Sequence, residues 1–175
     1  MASGEMIEVA MIGRDSMVGA SAALDGEVSL NKAIVQLAGS GSSLDVAQFR
    51  KIADQSADLR MILIRHEETL FAQAQQSVAC NATHALEARL SRWLLRSRDL
   101  NDDDSLDLTQ EFLSQMLGVR RTSVSVIANT LQSAGLIHYN RGHIKITNVV
   151  GLQDAACECY ETVKKNYDRL LNNSK

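Results

Sequence analysis

Before Leu44 apolar and polar positions alternate in short runs; after it apolar residues recur every three or four positions, and near Leu136 alternation returns. Met6–Ile12 and Lys32–Leu37 alternate and are rich in β-branched residues, which predicts two short strands. Turns are expected at Gly13-Arg14-Asp15-Ser16 and Asp25-Gly26, and a loop at Gly39-Ser40-Gly41-Ser42. So few strands cannot close a sheet, so further chain or a partner is expected to cover their edges.

Val46, Phe49 and Ile52 begin the helical pattern. Ser56 reads as an N-cap with Asp58 in the first turn, and no breaker interrupts Ala57 to about Ala79, roughly 35 Å of helix. Leu63, Leu70 and Ser77 fall seven apart, with Leu59, Ile62, His66 and Gln73 alongside. That narrow, partly polar seam suits pairing with a second copy of the helix; packing within the helix's own domain is the alternative. Thr83 can cap a further helix whose buried stripe is Leu86, Leu90, Trp93 and Leu94, ending before the Asn101–Asp104 loop.

The next stretch changes element every few residues. Leu106-Asp107-Leu108 predicts a short strand and Thr109 a helix cap, followed by buried positions at Phe112, Leu113, Met116 and Leu117. Gly118 stops that helix, and a second begins near Arg120 with Val124, Ile127, Ala128 and Leu131 facing inward. After Gly135, Leu136–Tyr139 and His143–Ile146 alternate about Asn140-Arg141-Gly142, which predicts a hairpin. Two short helices joined at a glycine turn and followed by a hairpin make a winged helix-turn-helix. A last helix is expected from Leu152 to Leu171, with Ala155, Ala156, Cys159, Val163, Tyr167 and Leu170 as its stripe. The fold class is thus α+β, mainly helical.

Composition narrows the classes. Apolar residues are 45 % of 175, and no run approaches the ~20 needed to span a membrane. No basic stretch with an apolar block opens the chain, so a cytoplasmic location is expected. Proline is absent, which fits a helix-rich chain. Net charge is −3, but residues 105–149 hold Arg120, Arg121, Arg141 and Lys145 against Asp107 and Glu111, a local balance of +4 − 2 = +2. The second helix turns Arg121, Thr122, Ser125, Val126 and Asn129 outward, with no carboxylate between Gly118 and Leu131. Arginine suits guanine, Asn adenine, Val a thymine methyl and hydroxyls phosphate. The candidate DNA-binding set is therefore Arg120, Arg121, Thr122, Ser123, Ser125, Val126, Asn129, Arg141, His143 and Lys145; a wing used for protein contacts is the alternative.

Other chemistry is thin. The histidines His66, His84, His138 and His143 are scattered, and Ser40-Gly41-Ser42-Ser43 lacks phosphate-loop spacing, so no catalytic role and no cofactor are expected. Cys80, Cys157 and Cys159 are too few for a disulfide framework. Cys157-x-Cys159 has no second ligand pair near it along the chain, so no metal is expected.

Leu108–Leu113, Leu117–Val124, Leu131, Gly135-Leu136-Ile137 and Gly142-His143-Ile144 resemble the DNA-binding domain of the cyclic-AMP receptor / fumarate–nitrate regulator (Crp/Fnr) family. Met11–Arg14 with Met17-Val18-Gly19 is similar to the trailing half of that family's effector-binding β-roll, and residues 57–80 to its dimer helix. The resemblance implies a partial β-roll over 1–55, a dimerisation helix over 56–81, a winged helix-turn-helix over 82–150 and a C-terminal helix over 151–175. It implies a homodimer on near-palindromic double-stranded DNA, with RNA polymerase as a further partner. Gly19-Ala20 and Asn31-Lys32-Ala33 stand where the family's cyclic-nucleotide binders keep Gly-Glu and Arg-Ser/Thr-Ala, so no cyclic nucleotide is expected. A dimeric protein-interaction module without specific DNA binding is the other functional reading.

Overall fold

Side-chain caps set the helix starts. Asp45 accepts from the Gln48 amide, Ser56 from Leu59 and Thr109 from Phe112, each satisfying an amide that the helix itself leaves unpaired. The computed structural model describes residues 6–14, 16–24, 29, 31–101 and 103–169. A short 3-10 turn at Ala20–Leu24 is followed by helices α1 (Val46–Asp54), α2 (Ala57–Thr83) and α3 (Leu86–Asn101). Strand β1 (Ser105–Asp107), helices α4 (Gln110–Leu117) and α5 (Arg121–Ser133), and strands β2 (Ile137–Asn140) and β3 (His143–Ile146) follow. The described chain closes with α6 (Val149–Ala155) and α7 (Cys159–Tyr167).

One antiparallel sheet, in the order β1-β3-β2, has β3 at its centre; Leu106 and Tyr139 flank Ile144 from either side. Beneath it Trp93, Leu94, Leu106, Leu113, Leu117, Val124, Leu131, Ile144 and Leu152 form the main core. Burying such a side chain is worth about 1.5–3 kcal/mol, so this cluster is what holds the helix pair and the wing as one body. The winged helix-turn-helix is thus the best-packed part of the chain.

The strands expected at Met6–Ile12 and Lys32–Leu37 do not form; among the described residues the only strands are β1 to β3. Residues 6–13 instead run extended across α3 and α4. The Glu8 amide donates to the Met116 carbonyl at 3.0 Å, Met11 is buried, and the Trp93 indole N–H donates to the Glu8 carboxylate. Ile7 and Val9 stay exposed while Glu8 makes the helix contacts, so the alternation marks neither a ladder nor a buried apolar side. Of the expected turns, Gly13–Ser16 closes with a 3.1 Å amide bond, although Asp15 itself lies outside the described residues. Asp25-Gly26 and Asp102 also lie outside them.

Glu8 is a buried carboxyl. Burial raises its pKa above the ordinary 4.5, opposed by Arg92 and by hydrogen bonds from Trp93 and Gln36. A raised folded-state pKa contributes stability that is present below the unfolded value and lost as pH rises through the folded one. Glu8→Gln is therefore expected to flatten that loss above about pH 4.5, read as the wild-type-minus-variant difference in urea melts followed by Trp93, the single tryptophan. A difference that stays constant with pH would remove Glu8 as its source.

The pairing seam also needs correction. Leu63, His66 and Gln73 are buried inside the chain's own packing, against the Ala20–Leu24 turn and α7, while Leu59 and Leu70 are half-buried. His66 is occupied by the Ser16 hydroxyl at 2.5 Å. Of the seven residues in that seam only Ile62 is exposed. Exposed positions on α2 follow another register: Ala57, Met61, Ile64, Glu68, Phe71, Gln75, Val78 and Ala82. Phe71 is 65 % and Val78 63 % exposed. Thr69 and Ser77 are buried as well, while Ala20, Ala23 and Ala53 pack against Leu63.

The single C-terminal helix expected from Leu152 is two. Ala156 leaves the helical region (φ −80°, ψ 157°), and the chain turns through Cys157 into α7; Leu170 and Leu171 lie outside the described residues. No glycine or proline marks that break. Tyr160 donates to Asp99 at 2.8 Å and Arg96 lies over the Tyr167 ring, so α7 is held on α3.

Candidate nucleic-acid interface

Helix α5 is positioned by α4, and the junction between them is set by Gly118, which takes the left-handed conformation (φ +64°). A Cβ there would meet only the movable end of the Ile7 side chain, so it is the left-handed backbone that asks for glycine. Val124, Ala128 and Leu131 are buried, and Ser125 donates to Gln110, locking the two helices together. The opposite face is open: Arg121, Thr122, Val126 and Asn129 are exposed. Unlike α4, α5 starts without a side-chain cap or an acidic first turn, so its positive N-terminal dipole is left for an anion.

The wing turns at Arg141 (φ +47°) and Gly142 (φ +89°), with Asn140 paired to His143, a two-residue hairpin turn of the kind that matches strand twist. Arg141 is the one non-glycine with positive φ among the described residues. A left-handed L-residue costs about 1–2 kcal/mol, and Asn or Gly would serve the turn better, so the guanidinium is kept at a cost. Arg141→Gly is expected to stabilise the fold by about 1 kcal/mol while weakening DNA affinity. Parallel denaturation and binding measurements check the opposite signs; a loss of both would refute this reading of the tip.

Thr109, Gln110, Glu111, Arg121, Tyr139, Arg141 and Gly142 line one open groove between the start of α4, α5 and the wing. The structure therefore brings Arg121 and Arg141 to a common surface. Arg120, His143 and Lys145 are exposed as well, the last two on the outer side of β3. Ser123 and Ser125 are half-buried, and the Ser125 hydroxyl is committed to Gln110 and to the Arg121 carbonyl, so it orders the helix and is not free for phosphate. His143 pairs with Asp107 at 2.5 Å across β1 and β3. Thr109, Gln110 and Tyr139 joined the groove unforeseen; only the Thr109 cap gave a hint, and its role there was local.

Elsewhere the fold overturns one expectation. Cys80 and His84 from the end of α2 meet Cys157 and Cys159 between α6 and α7, so a second ligand pair does lie beside the Cys-x-Cys pair. All three sulfurs are buried. Burial, with the neighbouring Cys80, pushes the Cys157 thiol up to about 12.

Residues 88–155 match the family model of the Crp-like helix-turn-helix domain. Comparison with curated protein sequences gives no match. Among solved structures, the chain is similar to FixK2 from Bradyrhizobium japonicum at 16 % identity and a TM-score of 0.58, over 65 % of this chain and 60 % of that one. A CRP/FNR-family transcriptional regulator from Thermus thermophilus gives 23 % identity and 0.54, over 58 % and 55 %. A transcriptional regulator of the crp/fnr family from Eubacterium rectale gives 22 % and 0.50, over 62 % and 51 %. At such identities the likeness is one of fold, and the chain spans about half the length of these relatives. No helix among the described residues is long and apolar enough to cross a membrane.

Proposed function

We propose that the chain, whose residues 88–155 match the Crp-like helix-turn-helix domain, is a sequence-specific DNA-binding transcription regulator acting as a homodimer. The observation that carries this reading is the acid-free outer face of α5, with Arg121 facing the same groove as Arg141 at the wing tip. Arg121, Thr122, Val126 and Asn129 read base edges in a major groove; Arg120, Arg141, His143 and Lys145 hold the phosphate backbone. Two such heads, joined through the exposed stripe of α2, meet half-sites about one helical turn apart on a near-palindromic operator. RNA polymerase would be approached from promoter-bound dimers. Ala20 stands where the resemblance puts an acidic ribose partner; it is buried and offers no acceptor, so no cyclic nucleotide enters this reading.

A salt titration tests it. With four cations per head (Arg120, Arg121, Arg141 and Lys145), a dimer neutralises up to eight phosphates, and log K should fall with log salt at a slope of roughly −4 to −7. Affinity insensitive to salt would reject the reading and leave a dimeric protein-interaction module in its place.

A further inference from the structure

Cys80, distant in sequence from Cys157 and Cys159, converges with them and with His84 away from the outer face of α5. We propose that Cys80, His84, Cys157 and Cys159 hold a single zinc-type divalent ion, which clamps the C-terminal end of α2 to the α6–α7 turn. Their three sulfurs and one imidazole nitrogen all lie within 4.8 Å of one another. The Cys80 and Cys157 sulfurs are 3.5 Å apart, and the Cys159 sulfur is 3.4 Å from His84 Nδ1. With Zn–S near 2.3 Å and Zn–N near 2.0 Å, a tetrahedral ion sets its ligand atoms about 3.5–3.8 Å apart; the Cys80–Cys157 and Cys159–His84 edges are close to that, and a shift of about 1 Å brings the longest of the others to it. An iron–sulfur core, carrying its own irons and sulfides between the ligands, needs its cysteines further apart. Three soft thiolates and an imidazole select zinc over hard cations, and four protein ligands close the shell, as in structural sites.

The surroundings fit such an ion. His84 presents Nδ1 toward the sulfurs while Nε2 faces the Glu158 carboxylate at 3.3 Å, the carboxylate–histidine–metal arrangement that fixes tautomer and ring orientation. Gln76 donates to the Cys159 sulfur at 3.0 Å. A dication on three thiolates leaves one net negative charge. Arg89 and Arg92 are buried on α3 close enough to Cys80 to interact with it electrostatically, and the Arg92 Nε has no hydrogen-bond partner. Arg92 also interacts with the Glu8 carboxyl, and a thiolate-rich centre would add counter-charge for both guanidiniums. Arg89 also donates to the Leu117 carbonyl at the end of α4 and to Asn81 on α2. The ion thus sits where the long helix, the C-terminal helices and the helix-turn-helix meet.

The test uses the full chain, purified under reducing conditions without added chelator, and needs no DNA, so its outcome is separate from that of the proposed function. Elemental analysis should find one zinc per chain. Cobalt(II) titrated into chelator-stripped protein should give tetrahedral d–d bands with thiolate charge-transfer bands. Cys159→Ser should abolish the tetrahedral thiolate spectrum. Because that variant can lose folding, Glu158→Gln is the companion: its side chain is 75 % exposed, and it should fold normally yet bind about 10- to 100-fold more weakly. Metal-free protein whose cobalt complex shows no tetrahedral thiolate bands would overturn the proposal. So would acid-labile sulfide with iron, or an unchanged affinity in Glu158→Gln.

Discussion

Phe71→Glu is expected to convert the protein to a folded monomer and to weaken binding to a two-half-site operator by about 10²- to 10⁴-fold, the loss of linking two heads. Helix α2 is 27 residues, about 40 Å, and eight of its exposed residues, Ala57, Met61, Ile64, Glu68, Phe71, Gln75, Val78 and Ala82, recur by alternate steps of three and four. That is the 3.5-residue period of a helix pairing with a copy of itself. Phe71, Val78, Met61 and Ile64 are large apolar side chains left 42–65 % exposed along that line, a costly arrangement for a surface that stays bare. Glu68 and Gln75 lower the seam's stability and oppose slippage of one helix along the other. A glutamate at 71 would place two like charges at the middle of the seam. Because Phe71 is largely exposed within its own chain, circular dichroism should remain that of the wild type while sedimentation shows the monomer. A dimer that persists in Phe71→Glu would remove the stripe as the interface. Leu63→Asp could not make this test, since Leu63 is buried against Ala20, Ala23 and Ala53 and its loss would damage the fold itself.

Arg121→Ala is expected to cost about 1–3 kcal/mol on the preferred sequence, roughly 10- to 100-fold, with much less effect on random duplex. The residue is the first of α5, exposed, and lines the groove shared with the wing, so removing it leaves the core untouched. Lys145→Ala should behave differently, weakening all sequences alike and reducing the salt slope by about 1. Competition assays with matched and single-base-changed duplexes separate the two behaviours. Equal loss from Arg121→Ala on every sequence would move it from base reader to phosphate contact.

The winged helix-turn-helix was legible because local rules there agree with the tertiary fold. Thr109 caps, Gly118 adopts the left-handed turn, Val124 to Leu131 keep a helical stripe, and the alternation of β2 and β3 matches a real ladder. The exposed apolar stripe of α2 was not legible, because burial there inverts the usual rule: Thr69, Gln73 and Ser77 are inside while Phe71 and Val78 are outside. Met6–Ile12 misled because its apolar Ile7 and Val9 are exposed while the polar Glu8 between them makes the helix contacts. The break at Ala156 carries no glycine or proline, and the meeting of Cys80 with Cys157 spans 77 residues, so neither could be read from spacing.

Selection of bound sequences from random duplex DNA by the full chain tests the central claim most directly. The account predicts enrichment of an inverted repeat with half-site centres about 10 base pairs apart, lost in Arg121→Ala. Recovery of unenriched sequence after repeated rounds, or of a pattern that Arg121→Ala leaves unchanged, would contradict it.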